Sequence, residues 1–295
     1  MPLKIFYLTT EIIPFANTSS LADFSAKVPL LLQNKENDIR TIIPKYGYVS
    51  ERKYILREVI RLREIPFEFG EENVITSAKS AFIPKTRVQI YFLEDVQRFK
   101  PLTNLIYKAK NGRVLIDNDM RFAFFSKASL AILPHLFWRP DVIWCNDWQS
   151  VLVPAFYKQQ YMNDEFYADM KTVLVVHNYE KEFLVIKRNT FKNTGLEEPA
   201  SMKKGVVNAY EAAAEYVDLM IAIDLSNSML VEDIKPNRLE RAKQAISRLI
   251  DKLEGDRIGL IVFAGEAYVQ LPITTDYSAA KLFLSTVRYL LTSSS

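Results

Sequence analysis

Four short stretches carry side chains whose types and spacing could do chemistry. His177 and Asn178 close an apolar, β-branched run over residues 171–176. An imidazole at the rim of a sheet can hold a ligand hydroxyl or a developing charge, and it can equally be a packed core histidine. Asp147 and Trp148 follow the run Trp144-Cys145-Asn146. There the carboxylate can take a hydroxyl or cap the next helix, and the indole offers a flat face for stacking or for the core. Asn17-Thr18-Ser19-Ser20 sets hydroxyls and backbone amides ahead of a helical pattern, an arrangement that holds an anion or simply caps the helix. Asp224-Leu225-Ser226-Asn227-Ser228 places a carboxylate and two hydroxyls at alternate positions, and Thr274 sits in a later polar stretch. Oxygen donors of that kind suit a hard divalent cation, usually magnesium, and they also suit a polar turn.

Positioning these groups requires a sheet. The pattern predicts strands over residues 4–9, 38–44, 88–93, 141–146 and 171–177. It predicts helices over 20–33, with Leu21, Phe24, Val28 and Leu31 on one face, over 119–133 with Asp117 or Asn118 as cap, and over 150–161. Residues 54–69 alternate weakly and read as a hairpin or an edge insertion. Several strands are apolar on both faces, Val173 to Val176 among them, which is the pattern of a mostly parallel sheet covered by helices on both sides. Ligands in such α/β folds sit at the carboxyl ends of the strands, where Glu11, Asn146, Asp147, His177 and Asn178 fall. A second α/β unit begins near Val217. Its predicted elements are a strand over 219–223, a helix opened by Pro236 and running to 250, a strand over 257–263 and a helix over 278–291. Residues 200–216 read as a helix-rich piece, either the last element of the first unit or the joint between the two.

Composition narrows the function classes. The chain has 295 residues, 49% of them apolar and 25% charged, which excludes a disordered tail or a fibre and corresponds to about two domains. Basic and acidic residues nearly balance, 38 against 35. With no long basic tract, nucleic-acid binding is not expected. The lysine-rich stretch 183–204 reads as a solvated loop. The single cysteine, Cys145, excludes an internal disulfide and reads as an inert core thiol. No apolar run is long enough for a membrane span and no signal-peptide pattern opens the chain, so a cytoplasmic location is expected. Glycine, at 8 residues, is scarce for an enzyme with phosphate-binding loops.

Read in order, several motifs carry a resemblance. They are residues 11–23 (EIIPFANTSSLAD), Pro44-Lys45-Tyr46-Gly47, Tyr91-Phe92-Leu93, Asp117-Asn118-Asp119 with residues 121–126 (RFAFFS), residues 140–143 (PDVI) leading to Asp147-Trp148, and His177-Asn178. The series resembles the bacterial glycogen and starch synthases, GT-B glycosyltransferases of two domains that move glucose from ADP-glucose to the non-reducing end of an α-1,4-glucan. The resemblance implies that His177 and Asp147 belong to the catalytic site, the histidine contacting the transferred glucose. It implies that Asn17, Thr18, Ser19 and Asn178 touch substrate, that ADP-glucose and α-glucan are the partners, and that this unit needs no cofactor. The family's opening Lys-Thr-Gly-Gly-Leu reads Asn17-Thr18-Ser19-Ser20-Leu21 here. Asn17 lacks the charge that meets the donor phosphates, and Ser19 and Ser20 restrict the backbone more than glycine does. Trp144 and Asn146 stand where the family usually has histidines. The family works in a cleft whose second domain supplies an arginine-lysine pair and a glutamate. Nothing after residue 217 resembles that domain, so transfer by this chain alone is expected to be poor or absent.

Residues 219–284 carry a second resemblance, through Ser228-Met229-Leu230, residues 233–240 (DIKPNRLE), 255–260 (GDRIGL), 265–268 (GEAY) and 272–276 (PITTD). They resemble the first part of a von Willebrand factor A domain of the bacterial aerotolerance-operon type. That resemblance implies that Asp224, Ser226, Ser228 and Thr274 form a metal-ion-dependent adhesion site, holding magnesium and a protein partner's carboxylate. The expected fold is therefore α/β: a Rossmann-like GT-B N-terminal half over 1–217, then a partial α/β von Willebrand factor A domain over 218–295. Each incomplete sheet is expected to expose an edge, the less favoured alternative being one continuous sheet shared by the two units. A magnesium-dependent protein-binding module is the alternative function, and an inactive fusion is a third.

Overall fold

A computed structural model describes residues 2–102, 105–178, 180–225, 229, 231, 235–253, 257–264 and 266–287, with backbone alone at 218, 219, 224, 263, 264 and 266–268. In chain order the elements are β1 (Lys4–Leu8), α1 (Leu21–Asn34), β2 (Asp38–Pro44), α2 (Glu51–Tyr54), β3 (Arg57–Glu58), β4 (Ile65–Phe69), β5 (Glu72–Phe82), β6 (Gln89–Glu94) and α3 (Asn118–Ala131). They continue as β7 (Val142–Asn146), α4 (Leu152–Phe156), β8 (Lys171–Val176), β9 (Val185–Lys187), α5 (Arg188–Thr194), β10 (Val206–Asn208) and α6 (Ala209–Ala214). The last are β11 (Asp218–Asp224), α7 (Arg238–Ile250), β12 (Ile258–Ala264), β13 (Glu266–Thr274) and α8 (Tyr277–Thr286).

One sheet runs in the order β13-β12-β11-β8-β7-β1-β2-β6-β5-β3, with β4 paired to β5 beside it. From β12 to β6 every neighbouring pair is parallel; β13 and β5 are antiparallel flanks. The central strands are buried on both faces, as Ile5, Phe6, Tyr7 and Leu8 of β1 are, which is why their sequences are continuous apolar runs. Residues 54–69, read as a hairpin or an edge insertion, hold β3 and β4; the hairpin partner of β4 is β5, beyond that stretch, with the turn at Gly70 at φ +65°.

The joint departs from expectation. β11 pairs with β8, Leu219 opposite Leu174 and Ile221 opposite Val176. The sheet therefore passes through residues 217 and 218 without a break. The two edges expected to be exposed there satisfy each other's backbone groups, the cheapest way to bury an open strand.

Other differences have local causes. Residues 150–161 form α4 and a following π turn over Tyr157–Tyr161 instead of one helix. Pro154 has no N–H for the carbonyl of residue 150, so a regular helix starts only near the proline. Asn237, not Pro236, opens α7, its Oδ1 accepting from Glu240 N at 2.8 Å; an asparagine cap satisfies an orphan amide that proline cannot reach. Asp117 stands at the cap position of α3, but its carboxylate pairs with Arg121. Residues 183–204 are not a solvated loop. Phe183, Leu184, Ile186, Phe191 and Leu196 are buried, and β9 pairs with β10, so the joint contains a strand as well as the short α6. The lysines lie between the apolar positions, and charge count alone hid the buried face.

Gly47 shows how tightly the carboxyl edge is packed. A Cβ there would come within 2.0 Å of the Lys100 carbonyl oxygen, while the neighbouring Tyr46 is buried with its hydroxyl on Thr10 O at 2.9 Å. Gly47→Ala is expected to destabilise the fold by about 2 kcal/mol through overpacking, read as a lower urea midpoint at unchanged m-value.

Candidate active site

β7 and β8 are parallel neighbours with Asn146 opposite Val175. Asp147 and the pair His177-Asn178 therefore leave the sheet side by side at its carboxyl edge. Asp147 has φ 61° and ψ −176°, a backbone state that costs an L-residue of order 1–3 kcal/mol and persists only where the surroundings enforce it. The enforcement is visible. Its N–H donates to Val175 O at 2.7 Å. Its Oδ1 accepts the N–H of His177 at 3.1 Å, the N–H of Asn178 at 2.8 Å and the hydroxyl of Tyr210 at 2.5 Å. Burial pushes the carboxyl up to about 6, with the bonds from Tyr210, Asn178, His177 and Trp148 pulling the other way.

His177 packs its ring edge-on to Phe24 of α1, 4.4 Å between centroids. Its Nε2 lies 3.4 Å from Asn146 Oδ1. Asn146 is itself fixed, its Nδ2 donating to Leu8 O at 2.7 Å and its Oδ1 accepting from Trp144 Nε1 at 3.1 Å. Burial draws the imidazole down to about 3, so it is neutral at physiological pH. It can hydrogen-bond a hydroxyl there without serving as a proton reservoir. The Asn178 side chain accepts from Glu180 N at 2.7 Å and so shapes the turn after β8.

The loop before α1 is spoken for from inside the chain. Glu11 is wholly buried. Thr18 N–H and Ser19 N–H both donate to its Oε2, the latter at 2.9 Å, and Ser19 Oγ donates to Oε1 at 2.8 Å. Thr18 and Ser19 were expected to hold a substrate anion; the anion they hold is the chain's own carboxylate. The physical reason is that a buried carboxylate needs donors, and this loop is where Glu11 finds them. Asn17 is exposed beside it. For Trp148 the structure decides between the two readings. The residue is 5% exposed, stacked on Phe183 at 5.3 Å and met edge-on by Tyr107 and Phe122, so its faces belong to the core. A cavity of about 280 Å³ adjoins it, lined by Phe122, Phe183 and Ile186 but by none of Asp147, His177 and Asn178.

The proposed metal ligands do not assemble as expected. Asp224 ends β11 opposite Phe263, whereas Thr274 ends β13 opposite Ile258. Those two positions lie at opposite ends of β12, about 17 Å apart at the rise of a strand. Ser226 and Ser228 lie outside the described residues. Among the described residues no group of three or more His, Cys, Asp or Glu side chains could hold a metal ion.

Sequence reasoning missed Tyr210. Asn208 caps α6 by accepting from Tyr210 N at 2.9 Å and Glu211 N at 3.4 Å, which fixes where the phenol goes. The cap is legible in the sequence, but its partner 63 residues away is not.

The family model of the starch synthase catalytic domain matches residues 4–237. This chain belongs to the starch synthase catalytic domain family. Within that family it is 34% identical to a glycogen synthase of Chlorobium limicola, over 74% of this chain and 45% of the relative. It is 30% identical to one of Pelodictyon phaeoclathratiforme, over 88% of this chain and 52% of the relative. This starch-synthase-type chain thus spans about half the length of the curated relatives it matches. Its fold is shared with the catalytic domain of starch synthase IV from Arabidopsis thaliana, a structure bound to ADP and acarbose. The TM-score is 0.67 at 18% identity, covering 90% of this chain and 52% of that one. A von Willebrand factor type A family model matches residues 219–293. The two matches overlap from 219 to 237, a stretch that holds all of β11 but Asp218. Among the described residues no helix is long and apolar enough to cross a membrane.

Proposed function

We propose that the rim formed by Asp147, His177 and Asn178 binds the sugar end of ADP-glucose and α-1,4-glucan, as the first half of a glycogen- and starch-synthase-type glucosyltransferase, and that these residues do not complete transfer unaided. The carrying observation is the Asp147 carboxylate, which gathers the His177 and Asn178 amides on one oxygen and presents a neutral imidazole at the carboxyl edge. A neutral ring is suited to donate to or accept from a sugar hydroxyl. Two observations argue against unaided transfer. The donors of residues 18 and 19 are committed to Glu11, leaving the donor diphosphate without that hold. The segment after residue 217 extends the sheet sideways from β8, beside the rim and not across from it, so it does not supply the closed, water-excluding cleft that such a transfer uses.

Calorimetric titration with maltotetraose tests the reading. Saturable binding that weakens at least about tenfold in His177→Ala, a loss of about 1.4 kcal/mol, supports it. Absence of saccharide binding overturns it, and so does glucan elongation by the purified chain at an ordinary turnover of about 1 s⁻¹ or more. The alternative, a magnesium-dependent protein contact through Asp224, is supported by the family match over 219–293 but loses Thr274 as a ligand. Magnesium binding abolished by Asp224→Ala would favour it.

A further inference from the structure

We propose that Tyr210 is a positioning residue of this rim: its phenol clamps the Asp147 carboxylate to the turn at Asn178 and thereby fixes the backbone that presents His177. Tyr210 is 1% exposed on α6. Its hydroxyl lies 2.5 Å from Asp147 Oδ1 and 2.7 Å from Asn178 O. A phenol has one proton, so the two acceptors compete for it, and the ionised carboxylate is the stronger. The clamp therefore depends on the charge of Asp147. While Asp147 is ionised, the phenol donates to Oδ1 beside the amides of His177 and Asn178. When Asp147 is protonated, the phenol turns to Asn178 O and the carboxylate loses its shortest bond. The groups on Asp147 are the Trp148 amide of its own turn, the His177 and Asn178 amides after β8 and the phenol from α6. The titratable side chain beside it at the rim, His177, stays neutral over the same range. The clamp also reaches the joint, because α6 leads directly into β11, and Glu211, next to Tyr210, pairs with Lys252 beyond α7.

The inference rests on the sugar reading only for what the rim binds; the clamp itself is tested without a ligand. Carbon-13 NMR of the full chain follows the Asp147 carboxyl, assigned by its loss in Asp147→Asn, in wild type and in Tyr210→Phe. Wild type is expected to titrate near pH 6, and Tyr210→Phe about one pH unit higher, the worth of one hydrogen bond to a charged group. In wild type the Tyr210 Cζ and the His177 and Asn178 amides should titrate with the same midpoint, a readout that needs no variant to fold. Maltotetraose binding by Tyr210→Phe should then fall off at a correspondingly higher pH, whereas a merely structural tyrosine would weaken binding at every pH alike. An Asp147 midpoint unmoved in Tyr210→Phe overturns the proposal, and so does a Tyr210 Cζ signal that ignores the Asp147 titration. A wild type that titrates as expected yet binds no saccharide overturns the sugar reading and leaves the clamp standing.

Discussion

Glu11→Ala is expected to cost about 4 kcal/mol of folding stability, among the larger effects a single side chain can have. Glu11 is wholly buried, and three donors from two consecutive residues end on its carboxylate. Hydrogen bonds to a charged group contribute roughly 1.5–3 kcal/mol each when their loss strands a partner, and truncation strands the Thr18 and Ser19 amides together. Those amides also open α1, which carries Phe24 against His177, so the loss should spread to the rim. In a chain of this size the melting temperature should fall by roughly 10 °C. Glu11→Gln keeps the shape and one acceptor oxygen and should lose about half as much. The vacated donors in Glu11→Ala should also favour inorganic phosphate, seen as a phosphate-dependent rise in melting temperature that wild type does not show. Melting of Glu11→Ala at the wild-type temperature would mean that solvent, not Glu11, satisfies the loop.

How far the fold was legible follows from where each piece of information lies along the chain. The run Val173 to Val176 is apolar on both faces, as suits a strand lying between β7 and β11 with Leu174, Val175 and Val176 buried, and that pattern is local. The strand at Asp38–Pro44 stands where the pattern predicts it. The junction of β8 with β11 was not legible, since both strands read as buried parallel strands and nothing in either names its neighbour. Asp147 and His177 could be placed at strand ends, but not their protonation, which depends on burial by Phe24, Tyr210 and the turn after β8. Trp148 reads identically as a stacking platform or as core, and only the position of Phe183, far along the chain, decides it. Thr274 looked like a loop ligand because the sequence does not show that β13 runs back to the amino end of β12.

Between pH 4 and 6, Asp147 and His177 are expected to pull stability in opposite directions, and single substitutions should expose each. Burial raises Asp147 from 3.8 to about 6. Over that window the folded chain keeps a proton that the unfolded chain has released, so this contribution is complete below about pH 4 and is lost as pH rises through 6. Burial lowers His177 from 6.5 to about 3. There the unfolded chain takes up a proton that the folded chain refuses, so that contribution is present above pH 6.5 and lost as pH falls toward 3. Each amounts to one proton, at most about 1.4 kcal/mol per pH unit, and where the windows overlap they largely cancel. Asp147→Asn removes the first and leaves the second. Relative to wild type, its stability should gain about 2 kcal/mol on going from pH 4 to 6. His177→Gln should show the reverse, losing stability over the same interval. Urea unfolding at the two pH values, with m-values checked for constancy, reads both. If both variants followed the wild-type profile, neither side chain would be titrating against its burial, and the neutral imidazole on which the sugar reading relies would be lost with it.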